Sequence, residues 1–315
     1  MLVHLDVAKR HDFSFLFDVT NGNPNGDPDA GNLPRVDPET MHGLVTDVST
    51  KRKIRDYVDV RHGADPRYQI FIQSKGYALN DLIAQSKAAL PQVVQAQVDD
   101  EDEDTKKAKS KTLSPAERRG YENMRQKWMC EHFYDVRTFG AVMSTGDKDT
   151  EGCGGKMRGA GQVRGPVQLT FARSIDPIMP LDLAITRVAI TKAEDDKRTE
   201  MGRKTLLPYA LYQGFGFVTP HFAQQTGFSS PDLALFWEAL MGCWELDRSA
   251  SRGMLALRGL AIFSHDNGLG NAPAHQLFER IAVDHVPTAR SFRDYTVTVD
   301  EHMMPEGVTL TRLVG

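Results

Sequence analysis

Phe13-Ser14-Phe15-Leu16-Phe17-Asp18-Val19 alternates, is dense in aromatic residues and ends on a β-branched one, so it reads as a buried strand. The segment after this strand constrains the topology. Asn21-Gly22-Asn23-Pro24-Asn25-Gly26-Asp27-Pro28 opens a loop reaching to about Thr40, built from residues that supply turns and positive φ angles. A loop this long inside a compact chain is more often functional than idle. Behind it the pattern predicts a helix from His42 or Asp47 to Val60, with four basic residues in the five positions Lys51-Arg52-Lys53-Ile54-Arg55. A close-approach loop followed by a concentrated positive helix face points to a polyanion tracked along its backbone.

At about 100° per residue, Lys51, Arg52 and Arg55 share one arc of this helix while Ile54, Tyr57 and Val58 share another. Lys53 points elsewhere. The arc meets no acid until Asp56 on its edge, whereas a merely solubilising face usually mixes signs.

Further along, strands are expected at Val167 to Ser174, Leu183 to Thr191, Tyr209 to Val218, Met254 to Ser264 and, last, Tyr295 to Val299. Helices are expected from Ser230, a cap with Pro231 in the first turn, and from Ala272 to Val283. Leu233, Phe236, Trp237, Leu240 and Trp244 recur at helical spacing, which assigns both tryptophans to packing. Six consecutive acids, Asp99 to Asp104, answered by four lysines over Lys106 to Lys111, mark Arg61 to Arg137 as a peripheral insertion. This order of elements predicts an α+β protein with a largely antiparallel sheet of ferredoxin-like type, carrying insertions between core elements.

Composition narrows the function classes. The 315 residues are 40% apolar and 25% charged, as in ordinary soluble domains, and no apolar run approaches a membrane span, so a cytoplasmic protein without a membrane partner is expected. Cys130, Cys153 and Cys243 are too far apart for C-x-x-C chemistry and read as free thiols. A net charge of −4 counts the whole surface, whereas nucleic-acid binding depends on one patch.

Three more constellations are basic and glycine-bearing. Gly152 to Gly165 combines six glycines with Lys156, Arg158 and Arg164, which suits a polyanion clamp or a flexible connection; its spacing fits neither a dinucleotide fingerprint nor a P-loop. Lys197-Arg198-Thr199-Glu200-Met201-Gly202-Arg203-Lys204 reads as a hairpin tip, basic at its flanks and apolar at its apex. Asp247 to Met254 leaves the tryptophan helix with Arg248, which suits the helix dipole, and Arg252, which suits a phosphate. No metal and no cofactor is predicted: the Asn loop has neutral would-be ligands for calcium, and no histidine lies in a zinc or hydrolase pattern. Asp18, Asp27 and Asp37 leave open an acid-dependent nuclease, although aspartates in such loops usually serve the turns.

Taken in order, Phe17-Asp18-Val19 with the Asn21 to Pro28 loop, Asp47-Val48 with Lys51 to Tyr57, Asp135 to Gly140, Gly161 to Gln168, Lys197 to Lys204, Asp247 to Gly253, and His265 with Gly270-Asn271-Ala272 resemble one family. It is the CRISPR-associated backbone subunit of type I-C Cascade surveillance complexes, within the repeat-associated RNA-binding superfamily. The resemblance implies a single domain over 1–315 with an RNA-recognition-type core, a finger-like insertion at 61–137 and a thumb-like hairpin at 191–208. It also implies a non-catalytic protein whose copies stack head to tail on a CRISPR RNA, with target DNA, other Cascade subunits and a recruited helicase-nuclease as partners. RNA contacts are then expected from Asn21, Asn23, Asn25, Arg35, Lys51, Arg52, Lys53, Arg55, Arg158, Gln162, Arg164, Lys197, Arg198, Met201, Arg203, Lys204, Ser249 and Arg252. Type III relatives cut RNA through a loop aspartate, which supplies the enzymatic alternative, a metal-dependent ribonuclease.

Overall fold

A computed structural model describes residues 2–91, 114–143, 159–187 and 200–315. They group into two compact units. The first comprises Met1–Tyr57, Leu169–Val218 and Phe236–Gly315, and the second Val58–Gln168 and Thr219–Leu235.

The first unit is organised around β1 (His11–Gly22), α1 (Asp47–His62), β2 (Ala172–Pro177), β3 (Glu200–Val218), α2 (Ser230–Leu246), β4 (Met254–His265) and β5 (Val308–Val314). Both helices run on past the unit's boundary. The sheet order is β5-β4-β1-β3-β2, with His42–Val45 along the outer edge of β2, and every one of these neighbours is antiparallel. Within it, β4-β1-β3-β2 with α1 after β1 and α2 after β3 is the 4-1-3-2 ferredoxin-like arrangement expected from the sequence.

Alternation along β1 decides which face is which. Phe13, Phe15 and Phe17 are fully buried and meet Phe236, Trp237 and Trp244 of α2, with Phe17 and Trp244 stacked at 4.2 Å. Gly214 and Gly216 lie opposite Phe15 and Phe13 in β3, where any Cβ would collide with the rings. On the other face Leu16, Tyr209 and Leu211 are covered by the segment running from Val283 through Ala289, Phe292 and Tyr295 to Val297.

The second unit has its own core of Phe71, Leu82, Ile83, Met129, Cys130, Phe133, Val136 and Met143. Its helix Pro115–His132 starts with a Ser114/Glu117 capping box, and Gly140–Met143 pairs with Gly161–Arg164. Two buried polar devices fix it. The Asp135 carboxylate accepts from the backbone N–H groups of Phe71 and Ile72, and Arg137 donates to Asp232 and to the Arg67 carbonyl, with Arg137 and Asp232 both essentially inaccessible.

Several boundaries differ from expectation. His42–Val45 is a strand, so α1 starts at Asp47. The cap of α2 lies one residue earlier than expected, at Ser229, whose N–H and Oγ both donate to Asp232. The predicted helix from Ala272 to Val283 is a helix only over Ala274–Phe278 and becomes a strand at Ile281–Val283, and Val297–Val299 is followed by the unexpected β5. The acidic and lysine runs of 99–111 and Cys153 lie outside the described residues; Cys130 and Cys243 are free, and burial pushes both thiols up, Cys130 to about 12. Among the described residues no helix is long and apolar enough to cross a membrane.

Candidate nucleic-acid interface

Three segments far apart in sequence meet beyond the end of β1. Asn21, the penultimate residue of β1, has φ 50°, which asparagine tolerates better than most residues, and Gly22 packs against the Arg252 carbonyl where a Cβ would clash. The N–H of Asn23 donates to the Ser251 carbonyl at 2.8 Å. Arg252 donates from Nη1 to the carbonyls of Asn23 and Pro24, and its Nε lies 3.5 Å from Asp247. Asp247 in turn pairs at 2.5 Å with Lys53 of α1.

The loop also builds the start of the helix. Thr46 caps α1 by accepting from the Ser49 N–H, and Asn25 Oδ1 receives both the N–H and the hydroxyl of Thr46 at 2.9 and 3.0 Å. Asn23 donates from Nδ2 to the Asn32 carbonyl. The side chains of Asn23 and Asn25 thus act on the loop itself, while Asn21 is exposed. Arg35 pairs with Asp27 at 3.5 Å, and its buried Nε has no hydrogen-bond partner among the described residues.

The basic arc is narrower than the spacing implies. Lys53 and Arg55 are buried, 4% and 6% exposed, and burial lowers the Lys53 pKa against the opposing pull of Asp247. Lys51 is half-buried and pairs with Asp47, so acids flank the arc on both sides. Within the pentad the exposed cation is Arg52, whose partner Asp56 lies 3.6 Å away and is itself exposed. Such an open i,i+4 pair is worth only about 0.3–0.5 kcal/mol, so Arg52 is only weakly held by Asp56. Ser249 is also exposed and accepts from the Arg252 N–H. Arg248 Nε donates to the Glu245 carbonyl in the last turn of α2 at 2.8 Å, as expected of a residue serving the helix terminus.

A match to the family model for CRISPR-associated protein Cas7 spans residues 9–300. The chain belongs to the Cas7 family. A Cas7 relative, the CRISPR-associated protein Cas7 of Haloferax volcanii, is 24% identical over 316 residues, covering 94% of this chain and 82% of its own. Chains of two solved CRISPR RNA-guided surveillance complexes, the first in a pre-nicking state, are 16% and 14% identical. Each covers 82% of this chain, with 79% and 70% of its own length matched and TM-scores of 0.48 and 0.44.

In this Cas7 chain the remaining candidates occupy two other places. The first half of β3 pairs with Leu181–Arg187 as a hairpin on which Met201 is 81% exposed, Arg203 reaches Asp182 at 3.2 Å and Lys204 stands opposite Leu183. Every residue of Leu181–Arg187 is exposed. Lys197 and Arg198 lie outside the described residues. In the second unit Gln162 and Arg164 are exposed on Gly161–Arg164, with the Arg164 guanidinium 4.5 Å from the Phe222 ring centre. Arg158 and the glycines before it lie outside the described residues.

The aspartates proposed for an acid-dependent nuclease are committed elsewhere. Asp18 is buried, accepts from Tyr209 Oη at 3.1 Å and pairs with Arg258 at 2.8 Å; burial raises its pKa while these partners oppose the rise. Asp27 and Asp37 accept the N–H groups of Asp29 and Glu39 in local turns, and the Glu39 bond leads those that lower the Asp37 pKa. Among the described residues no three His, Cys, Asp or Glu side chains are grouped to hold a metal.

Sequence reasoning missed Thr46, Asp247 and the buried state of Lys53 and Arg55. Thr46, three residues before Ser49 at the helix start, is a recognisable cap signal. Asp247 carries no such signal, because its importance comes from a lysine far away in the chain.

Proposed function

We propose that this Cas7-family chain is a non-catalytic, CRISPR RNA-binding backbone subunit of a type I-C Cascade complex. Copies stack head to tail along one guide, grip its backbone and leave its bases open for pairing with target DNA, so that sequence is read by the RNA and shape and phosphate by the protein. The observation that carries this reading is the braced junction of the Asn21 to Asp27 loop, the start of α1 and the Asp247 to Gly253 turn, which presents Arg52, Asn21 and Ser249 to solvent. A braced, glycine-bearing surface with Arg52 and Arg248 exposed suits a phosphate backbone better than a base edge.

On this reading 1–315 is one functional domain, 61–137 its finger and 191–208 its thumb. The thumb's exposed Met201, flanked by Arg203 and Lys204, would displace a guide base at intervals. Gln162 and Arg164, with Arg158, would add backbone contacts. Other Cascade subunits would cap the filament, and a recruited helicase-nuclease in the cytoplasm would cut the target.

The test is purification of the full-length chain from cells expressing a CRISPR array, followed by filter binding to single-stranded RNA at two salt concentrations. Copurified RNA of uniform length and tight, salt-sensitive, sequence-tolerant binding are expected. Failure to bind RNA at low salt would sink the scaffold reading.

A further inference from the structure

The sheet face opposite the helices is open in a bare ferredoxin-like layer, yet here the Ile281 to Val299 segment covers it. Between sheet and cover lies a cavity of about 250 Å³. Leu16, Leu260, Phe292, Tyr295 and Val299 line it together with Gly259.

Two register shifts shape this cavity. One, at Leu16/Phe17 in the β1–β4 pairing, leaves Arg258 as the extra residue between Gly259 and Leu257; the other falls at Leu260/Ala261 in the β4–β5 pairing. Bulges re-aim side chains, and both arginines of the lining, Arg258 and Arg312, flank these irregularities. Arg258 is anchored by one edge only. Its Nε donates to the buried Asp18 and its guanidinium lies 5.5 Å from the Phe292 ring centre, while among the described residues neither Nη group has a hydrogen-bond partner. Arg312 is half-exposed at the rim, 3.4 Å from Glu301. Ser14 Oγ accepts from Gln213 and keeps its own proton to donate.

We infer that this cavity between β4, β5 and the Ile281 to Val299 cover binds a small anion with a flat apolar body, its acid head held by Arg258 and Arg312 and its body packed among the aliphatic and aromatic walls. A planar guanidinium with free terminal N–H groups matches a carboxylate or phosphate, and Asp18 behind it holds the fork in place. The walls offer the body contact but few hydrogen bonds. The volume lies below the 300–1,000 Å³ typical of drug-sized ligands, so one ring system with its acid head fills it. Such a ligand is an aryl carboxylate or an aryl phosphate.

Calorimetric titration of the protein with indole-3-acetate, phenyl phosphate and neutral indole separates these sources. At least one of the two anions is expected to bind with 1:1 stoichiometry and a dissociation constant below about 1 mM, and indole at least about tenfold more weakly. Gly259 has an ordinary backbone, and the three atoms nearest to a Cβ there all belong to the Leu16 side chain, at 3.3–3.6 Å, so Gly259→Leu fills the cavity and should abolish binding. Arg312→Ala, at the rim, should weaken it about tenfold while the melting profile stays that of the wild type. If Gly259→Leu fails to fold, Arg312→Ala decides. Absence of saturable binding of both anions in the millimolar range, or unchanged binding in either folded variant, overturns the site.

Discussion

Arg252 donates from Nη1 to the backbone carbonyls of Asn23 at 3.3 Å and Pro24 at 3.1 Å, bracing a loop that lies more than 220 residues earlier in the chain. Replacing it with alanine should cost about 1–2 kcal/mol, the value of charged hydrogen bonds discounted for partial exposure, and should weaken RNA binding as well. Arg252→Lys keeps the charge but lacks the planar fork. If urea unfolding and filter binding of the lysine variant both match wild type, the bracing role is wrong.

Lys53 is buried against a more accessible Asp247, so removing either partner has unequal consequences. Asp247→Ala strands a buried ammonium and should destabilise by about 2–4 kcal/mol, below the usual range for fully buried pairs. Lys53→Met combined with Asp247→Ala should recover much of that loss. A double-mutant cycle by chemical denaturation measures the coupling, and additive losses would argue against the pair.

Arg52 and Arg55 share an arc of α1 but not an environment, which gives opposite expectations for two similar substitutions. Arg52→Ala should change stability by less than about 0.5 kcal/mol. It should also flatten the slope of log affinity against log salt by about 0.7 if it meets one phosphate of single-stranded RNA. Arg55→Ala should instead lower the unfolding midpoint. Equal salt slopes for wild type and Arg52→Ala would remove Arg52 from the interface.

The second unit depends on Arg137, whose guanidinium serves Asp232 and the Arg67 carbonyl with almost no solvent contact. Arg137→Met leaves the Asp232 carboxylate buried and short of partners, at a cost of about 3–5 kcal/mol. Lysine should not rescue it, because one ammonium does not reproduce the fork. Hydrogen exchange at Phe71, Phe133 and Val136 would report this loss locally, and unchanged protection would contradict it.

Stability should also fall in acid through His11. Its ring lies between Ser264 Oγ and the Asp6 carbonyl, each at 2.9 Å, with His4, Asp6 and His265 nearby, and burial pushes its pKa down from 6.5 to about 4. The unfolded chain therefore holds the proton more tightly. This contribution is complete above pH 6.5 and is lost as pH drops toward 4, by an amount on the order of 3 kcal/mol. Denaturation curves across that window should be flatter for His11→Gln, and an unchanged slope would assign the acid sensitivity to other groups.

Much of the first unit was legible because its signals are local. The alternation of Phe13 to Val19 and the helical recurrence of Phe236, Trp237 and Trp244 are properties of short windows, and they meet in one core. β5 was missed because only Val308 of its seven residues is buried, so the strand is held by pairing with β4 rather than by an apolar face of its own. Periodicity placed Arg55 with Lys51 and Arg52 correctly in angle, but angle does not say what packs against a face. Burial of Arg55 and the Lys53–Asp247 contact depend on partners far away in sequence, which no local window contains.

The central position of β1 also sets a schedule for synthesis. Its two neighbours, β3 and β4, are encoded about two hundred residues later, which at 5–20 residues per second means about 10–40 s before the first can pair with it. During that interval Phe13, Phe15 and Phe17 are a nascent strand with two unpaired edges, a template for wrong partners. Expression yield should therefore respond to chaperone supply and elongation rate more steeply than the stability of the finished fold suggests.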